Sequence, residues 1–194
     1  MKVNKTEIAG LLVLEPDVFK DDRGFFFESY SKQRYENFGI PDVFVQDNIS
    51  KSGKGTIRGL HYQVGEKAQG KLCQVLEGEV LDVAVDIRFN SPTFGKYFSQ
   101  ILNSDKKIQL WIPPGFAHGF SVLSDDAIFS YKCTNYYSKA HERTILYNDP
   151  DLKIDWKIDN PIVSEKDLSA AKFKDIEKDF VLSTAVIYFN GNYF

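Results

Sequence analysis

Cysteine is scarce in this chain of 194 residues. The two cysteines, Cys73 and Cys133, lie far apart in hydrophobic segments, so they form neither a CxxC motif nor a disulfide framework. A free cysteine usually behaves as a small apolar residue of the core. We therefore expect two buried thiols in a reducing compartment.

Long hydrophobic segments are also missing. No stretch approaches the roughly 18 consecutive apolar residues that a membrane-spanning helix needs. The first ten residues, MKVNKTEIAG, lack the long apolar stretch of a signal peptide. We expect no membrane association and a cytoplasmic location.

Positive charge is not in excess either. The chain has 24 Lys and Arg against 27 Asp and Glu, which gives a net charge of −3. This balance argues against a broad surface for nucleic acid or for anionic lipid. A local basic pocket is still compatible with it.

Short β-rich segments that alternate with turn-forming residues make up most of the chain. In EVLDVAVDI, for example, Leu81, Val83 and Val85 share one face of a strand. Many short strands at near-regular spacing predict a sandwich or barrel rather than βαβ units. We predict an all-β fold, a cupin-like jelly-roll barrel with short helices mainly near the C-terminus. The predicted strands lie within residues 10–16, 23–30, 43–50, 56–63, 71–78, 79–87, 96–103, 107–113, 118–124 and 127–135.

Two segments are predicted to be helical. Residues 31–39 form a short helix that ends at Gly39, and a second helical stretch covers residues 164–178. Because no repeat or linker divides the chain, we expect a single jelly-roll domain over residues 1–194. Residues 164–194 form its C-terminal helical and aromatic segment, whose end can dock on the barrel or on a partner subunit.

Two of the three histidines lie in motif-like segments. His61 belongs to TIRGLHYQ, and His118 follows the rigid Pro-Pro-Gly turn of PPGFAHGF. These segments resemble the two signature regions of cupin barrels, most of which hold a metal ion.

The ligands of a cupin metal site are incomplete in this sequence. Gln63 replaces the second histidine of the first region, and Lys67 or Ala68 occupies the usual position of the carboxylate. A divalent ion requires about three or four ligands in fixed geometry. We therefore expect no metal, and either metal-free acid–base chemistry or binding alone.

His61 is a candidate general base because imidazole exchanges protons near neutral pH. A histidine bonded to a backbone carbonyl is the structural alternative. Arg58 lies three residues earlier, on the opposite strand face unless a bulge at Gly59 intervenes. Lys71 is a candidate cation for an enolate oxygen, although a lysine at the end of a strand is more often solvated.

Two further residues have both a chemical and a structural interpretation. Tyr131 can act as a general acid, but a core tyrosine with a bonded hydroxyl is more common. Asp167 can orient His61, but Ser164-x-x-Asp167 is also a helix-capping pattern. From the sequence alone the cap is the better interpretation, because spacing cannot establish a contact between Asp167 and His61.

Taken together, long ordered segments resemble the dTDP-4-dehydrorhamnose 3,5-epimerase family. The resemblance extends from about Gly10 to Asp167. It rests on DDRGFFFESY, FVQDNISKS, TIRGLHYQ, QGKLCQVLEGEVLDVAVDIRFNSPTFG, WIPPGFAHGF and YYSKAHERTILYNDPDLKIDW.

The resemblance implies a homodimeric, metal-free and cofactor-free jelly roll. It acts on a dTDP-4-keto-6-deoxyhexose, which it epimerises at C3 and C5 on the way to L-rhamnose. By the same resemblance His61 is the base, Asp167 its partner, Lys71 the enolate stabiliser and Tyr131 the acid. Substrate-binding positions are Arg23, Phe26, Glu28, Gln46, Asn48, Arg58, His118, Tyr137, Glu142 and Lys166.

Three alternatives are weighed against this hypothesis. The first is an epimerase that acts at C3 only or at C5 only. The second is a metal-dependent cupin isomerase or dioxygenase, which the missing ligands disfavour. The third is a non-catalytic barrel that binds sugar nucleotides, which the four candidate catalytic side chains disfavour. The sequence shows no dinucleotide-binding fingerprint, so no redox cofactor is expected.

Overall fold

A computed structural model describes residues 1–40 and 43–182. Within them lie thirteen strands, two short α-helices and two 3₁₀ turns, at Gly65–Lys67 and Phe173–Asp175. None of the helices in these residues has the length and apolarity needed to cross a membrane. The strands are β1 Lys2–Lys5, β2 Leu12–Glu15, β3 Val18–Asp21, β4 Gly24–Phe27, β5 Gln46–Gly53, β6 Ile57–Gln63, β7 Lys71–Glu77, β8 Glu79–Asp86, β9 Tyr97–Asn103, β10 Gln109–Ile112, β11 Phe116–Val122, β12 Asp126–Cys133 and β13 Glu142–Thr144, and the helices are α1 Lys32–Glu36 and α2 Glu165–Leu168.

Two antiparallel sheets form the body of the protein. A six-stranded sheet has the order β1-β2-β10-β7-β12-β5, and a five-stranded sheet has the order β13-β6-β11-β8-β9. Strands β3 and β4 pair with each other as a separate hairpin. The predicted all-β jelly roll is thereby confirmed, with two facing sheets as its walls.

The main hydrophobic core lies between the two sheets. It combines residues of the six-stranded sheet, such as Cys73 and Phe129, with residues of the five-stranded sheet, such as Ala84 and Phe120. Cys73 and Cys133 are buried free thiols, as expected.

Each sheet is also covered on its outer face. The chain around α1 covers Leu14, Leu72 and Trp111 of the six-stranded sheet. The chain after β13, including Leu152 and Trp156, covers the outer face of the five-stranded sheet. Both faces of the central strands β8 and β11 are therefore covered, and nearly all of their residues are buried.

All ten predicted strands are present. The prediction missed the short strands β1, β3 and β13, which have four, four and three residues. Such short segments carry too few alternations of apolar and polar residues to be recognised by period alone.

The two helix predictions differ in outcome. Helix α1 agrees with the predicted segment, and Gly39 follows it with a φ of +76°. The prediction of a helix over residues 164–178 is wrong in extent, because α2 ends at Leu168. Tertiary hydrogen bonds extend the following chain: the Leu146 amide donates to the Ala171 carbonyl at 2.8 Å, and the Phe173 amide donates to Asp149 Oδ2 at 2.8 Å. Most of the aromatic end of the chain, residues 183–194, lies outside the described residues.

Candidate active site

A polar cavity of about 260 Å³ opens between the two sheets. The five-stranded sheet contributes His61 from β6 and Glu142 from β13, while the six-stranded sheet contributes Lys71 from β7 and Tyr131 from β12. The full lining is Gln46, Asn48, His61, Tyr62, Gln63, Gln69, Lys71, Tyr131, Tyr137 and Glu142.

His61 is paired with a buried carboxylate. Its Nε2 lies 2.7 Å from Asp167 Oδ1, and the Asp167 side chain is 5% exposed. A carboxylate accepts hydrogen bonds, so Nε2 carries the proton and Nδ1 remains free to accept another. Burial alone would raise the pKa of Asp167, but the hydrogen bond from His61 and the electrostatic interaction with that ring bring it below its ordinary value.

Asp167 also caps its helix, so the two interpretations of this residue hold together. The Asp167 amide donates to Ser164 Oγ at 3.2 Å, which satisfies an amide at the start of α2. The cap uses the backbone of Asp167 and leaves its carboxylate for His61.

A bulge in β6 puts Arg58 and His61 on the same face. Across β11, His118 pairs with His61 but Phe120 pairs with Arg58, so β6 contains one extra residue between the two pairs. Gly59 has a φ of +138°, and a Cβ atom on it would lie 2.5 Å from the Cα of Gly119. Glycine is therefore required at this position.

Lys71 is a buried cation rather than a solvated residue at a strand end. The residue is 8% exposed, and burial lowers the pKa of its ammonium group. Its Nζ lies 3.4 Å from His118 Nδ1 and 5.6 Å from the ring centroid of Tyr131. Such an ammonium can stabilise negative charge that develops in the cavity.

Within residues 1–40 and 43–182 the Tyr131 hydroxyl has no hydrogen-bond partner, although the ring packs against the main core. This differs from a core tyrosine whose hydroxyl is satisfied. Burial raises the pKa of Tyr131 to about 12, so the residue carries a proton at neutral pH.

His118 lies behind Lys71. Its Nε2 is 2.6 Å from Asp82 Oδ1 and 3.7 Å from Cys73 Sγ, and all three side chains are buried. Two ligands of one tetrahedral zinc ion would lie roughly 3.3 Å apart, so the 2.6 Å separation fits a hydrogen bond and not a pair of metal ligands. Burial also raises the pKa of Cys73 well above its ordinary value, which opposes the thiolate form that binds metals.

The rim of the cavity combines aromatic and charged groups. Glu142 Oε1 accepts from Lys166 Nζ at 2.6 Å, and Glu142 Oε2 accepts from the Tyr137 hydroxyl at 3.2 Å. The Tyr137 amide donates to Gln46 Oε1 at 2.9 Å, and Gln46 in turn contacts Asn48. The structure thus brings these five predicted binding residues together.

Three predicted binding residues lie elsewhere in the described chain. Arg23 and Phe26 belong to the β3–β4 hairpin, where the Arg23 guanidinium pairs with Asp21. Glu28, just after the hairpin, lies 3.4 Å from Arg34 Nε. These positions do not line the cavity of the same chain.

Three lining residues, Tyr62, Gln63 and Gln69, were not predicted as site residues. Gln63 anchors the loop that carries Tyr137, because its Nε2 donates to the Tyr136 carbonyl and its Oε1 accepts from the Ser138 amide. The signal available for Gln63 was its position two residues after His61, on the same strand face.

The arrangement supports proton transfer on opposite sides of a bound molecule. His61 on one sheet has a free acceptor atom, while Tyr131 on the facing sheet has a proton to donate. Lys71, on the strand next to that of Tyr131, supplies a positive charge that can stabilise an enolate oxygen.

Comparisons with known proteins agree with this geometry. A family model described as dTDP-4-dehydrorhamnose 3,5-epimerase matches residues 5–175. The dTDP-4-dehydrorhamnose 3,5-epimerase of Shigella flexneri is 54% identical over 178 residues, which cover 91% of this chain and 98% of the relative.

Solved structures give the same result. The dTDP-4-dehydrorhamnose 3,5-epimerase of Elizabethkingia anophelis superposes with a TM-score of 0.87 at 51% identity, covering 93% of this chain and 99% of that one. A dTDP-6-deoxy-D-glucose-3,5-epimerase from Legionella pneumophila, solved in complex with dTDP-4-keto-L-rhamnose, superposes with a TM-score of 0.90 at 49% identity, covering 94% and 98%. Fold, cavity and sequence together make this chain a member of the dTDP-4-dehydrorhamnose 3,5-epimerase family, and hence an isomerase.

Proposed function

We propose that the protein epimerises dTDP-4-dehydro-6-deoxy-D-glucose at C3 and C5, giving dTDP-4-dehydro-L-rhamnose. The 4-keto group acidifies the protons on both neighbouring carbons, so each can be removed to form an enolate. The observation that carries the proposal is the cavity in which His61 and Tyr131 project from facing sheets, with Lys71 beside Tyr131.

In this proposal His61 removes the protons. The Asp167 carboxylate holds the ring by its Nε2 proton, so Nδ1 accepts the proton from the sugar. Asp167 then stabilises the imidazolium that forms, since its own pKa is lowered and it stays ionised.

Lys71 holds the enolate oxygen, and Tyr131 returns a proton from the other face. A single ammonium beside C4 can serve both steps, because C3 and C5 flank the same carbonyl. Inversion requires that the donor and the base lie on opposite faces of the ring, as the two facing sheets allow.

The remaining predicted residues would bind the nucleotide and the sugar. Tyr137 offers a ring for stacking on the base, and Arg58 and Lys166 offer positive charge for the diphosphate. Gln46, Asn48 and Glu142 line the cavity and can make polar contacts with the substrate, whereas His118, also predicted as a binding residue, contacts Lys71 from behind the cavity wall.

Turnover of dTDP-4-dehydro-6-deoxy-D-glucose, followed by NMR of the product, tests this function. His61→Asn is expected to lower kcat by roughly 10²- to 10⁴-fold, the usual contribution of a general base. His141→Asn is the control, because His141 contacts Ser138 and does not line the cavity. Equal activity of the two variants would contradict the role of His61.

We also propose a homodimer in which the β3–β4 hairpin packs on a second copy of the chain. The hairpin presents three exposed rings: Phe19 is 64% exposed, Phe25 57% and Phe26 70%. Exposed apolar groups at this density are typical of a covered surface. Packing on a second copy would carry Arg23 and Phe26 to the partner's cavity.

The mass of the protein in solution tests the dimer. Phe26→Ser combined with Phe19→Ser is expected to give a monomer with a raised KM. Ile162→Ser is the matched control, because Ile162 is 63% exposed but lies far along the chain from the hairpin. A wild-type monomer would contradict the dimer while leaving the reaction untouched.

We propose a single domain over residues 1–194, in which the C-terminal segment 164–194 belongs to the barrel; Asp167 binds His61, and Phe180 packs against the outer face of the five-stranded sheet. Limited proteolysis is then expected to leave no stable fragment that lacks α2.

We propose a cytoplasmic location, supported by the free buried thiols of Cys73 and Cys133, and cell fractionation tests it.

A further inference from the structure

The Asp82 carboxylate lies at the buried end of a hydrogen-bonded chain that leads to the cavity. Asp82 Oδ1 contacts His118 Nε2 at 2.6 Å, and His118 Nδ1 contacts Lys71 Nζ at 3.4 Å. The Asp82 side chain is 0% exposed and that of His118 is 6% exposed. Of the three residues, Lys71 lines the cavity.

The carboxylate of Asp82 and the ammonium of Lys71 determine the tautomer of the His118 ring between them. A carboxylate only accepts hydrogen bonds, and an ammonium group only donates them. His118 must therefore carry its proton on Nε2 and leave Nδ1 as an acceptor for Lys71. Burial lowers the pKa of His118, in agreement with a neutral ring.

We propose that Asp82 is a positioning residue for the epimerisation, which acts through His118 to fix the Lys71 ammonium and to balance its charge. The inference rests on the proposed function. A lysine side chain is flexible, so its ammonium must be held if it is to lie where the enolate oxygen forms. The Nδ1 atom of His118 can accept a hydrogen bond from Lys71 only in the tautomer that Asp82 selects, with the proton on Nε2.

Charge balance supports the same role. The buried ammonium of Lys71 needs a negative partner, and the Asp82 carboxylate is one of the nearby charges that favour its protonated form. Asp82 Oδ2 has no hydrogen-bond partner among the described residues. No hydrogen-bond donor of these residues therefore offsets the negative charge on this oxygen. The thiol of Cys73 stays protonated and adds no charge.

Asp86 offers a matched control for Asp82. Both carboxylates lie on the same face of β8, and both are 0% exposed. Asp86, however, accepts hydrogen bonds from Arg88, Ser91 and Thr93, which makes it a structural anchor of the next loop.

The first test compares Asp82→Asn with Asp86→Asn. We expect Asp82→Asn to lower kcat by roughly 10- to 100-fold, with KM changed by less than about twofold. Deuterium exchange from D₂O should fall equally at C3 and C5, because one ammonium serves both carbons. Asp86→Asn should lower the Tm and leave kcat unchanged. Equal kcat values for the two variants would overturn the inference.

A second variant and a second readout keep the test independent of folding and of activity. His118→Gln should lower kcat without raising KM, whereas a direct contact of His118 with the substrate would raise KM.

Nitrogen-15 NMR should find His118 neutral and protonated on Nε2, with His118→Gln identifying the signal. A ring protonated on Nδ1 would overturn the inference. Inactive wild-type protein would instead contradict the proposed function, and the tautomer would still test the chain from Asp82 to Lys71.

Discussion

His61 Nε2 lies 2.7 Å from Asp167 Oδ1, although 106 residues separate the two in the sequence. The same aspartate donates its backbone amide to Ser164 Oγ, so the N-terminal cap of α2 holds the carboxylate against the base. The cap and the His61–Asp167 pair therefore use different atoms of one residue, and substitutions can separate them.

Asp167→Asn removes the charge that stabilises the imidazolium but keeps the capped backbone. We expect kcat to fall by roughly 10²-fold or more, since the carboxamide can bind His61 in the wrong tautomer. Ser164→Ala should instead cost about 1 kcal/mol of stability with a small change in kcat. Steady-state kinetics and thermal unfolding of both variants check the separation, and the reverse pattern would contradict it.

Tyr131→Phe removes the proposed proton donor and leaves the base in place. Net epimerisation should be lost, while deuterium still enters the substrate from D₂O because His61 continues to form the enolate. Proton NMR distinguishes exchange from inversion. A Tyr131→Phe protein with full turnover would remove the acid role of this residue.

Activity should decline at alkaline pH through Lys71. The ammonium form is the active one, and burial lowers its pKa. The contribution of Lys71 to activity is thus full below that pKa and is lost as the pH rises through it, at a lower pH than an ordinary lysine would give. The pKa of Tyr131, about 12, lies higher. The groups around the ammonium are Cys73, Asp82, His118, Tyr131, Cys133 and Glu142.

Lys71→Arg provides the control for this pH profile. A guanidinium stays charged across the accessible range, so the variant should have a lower kcat but no alkaline decline below the range of tyrosine. An unchanged alkaline limb in Lys71→Arg would assign the decline to another group.

Gly59→Ala should destabilise the protein and displace His61. The backbone at Gly59 has a φ of +138°, and the new Cβ would meet the Gly119 backbone at 2.5 Å. We expect a loss of roughly 3 kcal/mol or more. Gly65→Ala is the control, because Gly65 also has a positive φ but a Cβ atom added to it would have nothing within 4 Å. Denaturant unfolding of the two variants compares the costs, and equal losses would contradict the close approach of β6 and β11.

Much of the fold could be predicted from the sequence because the signals are local. Alternation and turn residues located ten strands, and Gly59 indicated the bulge that turns Arg58 and His61 to one face. The three missed strands are too short to carry a period. The overextended helix was ended by tertiary hydrogen bonds to Ala171 and Phe173, which leave no mark in the local sequence.

The contacts of the candidate site could be predicted less well from the spacing of residues along the chain. The contact of His61 with Asp167 depends on the packing of α2 on β6, so local reasoning favoured the cap, and the resemblance to a family supplied the pair. Burial of Lys71 and the role of Asp82 depend on two sheets that meet only in the folded chain.

Proton NMR of dTDP-4-dehydro-6-deoxy-D-glucose with the purified protein in D₂O tests the central claim most directly. We predict that deuterium enters at both C3 and C5 and that EDTA changes neither rate. Exchange at one carbon alone would contradict the 3,5-epimerase and indicate a single-site epimerase. No exchange at either carbon would contradict the catalytic role of the cavity, and exchange that EDTA abolishes would contradict its metal-free chemistry.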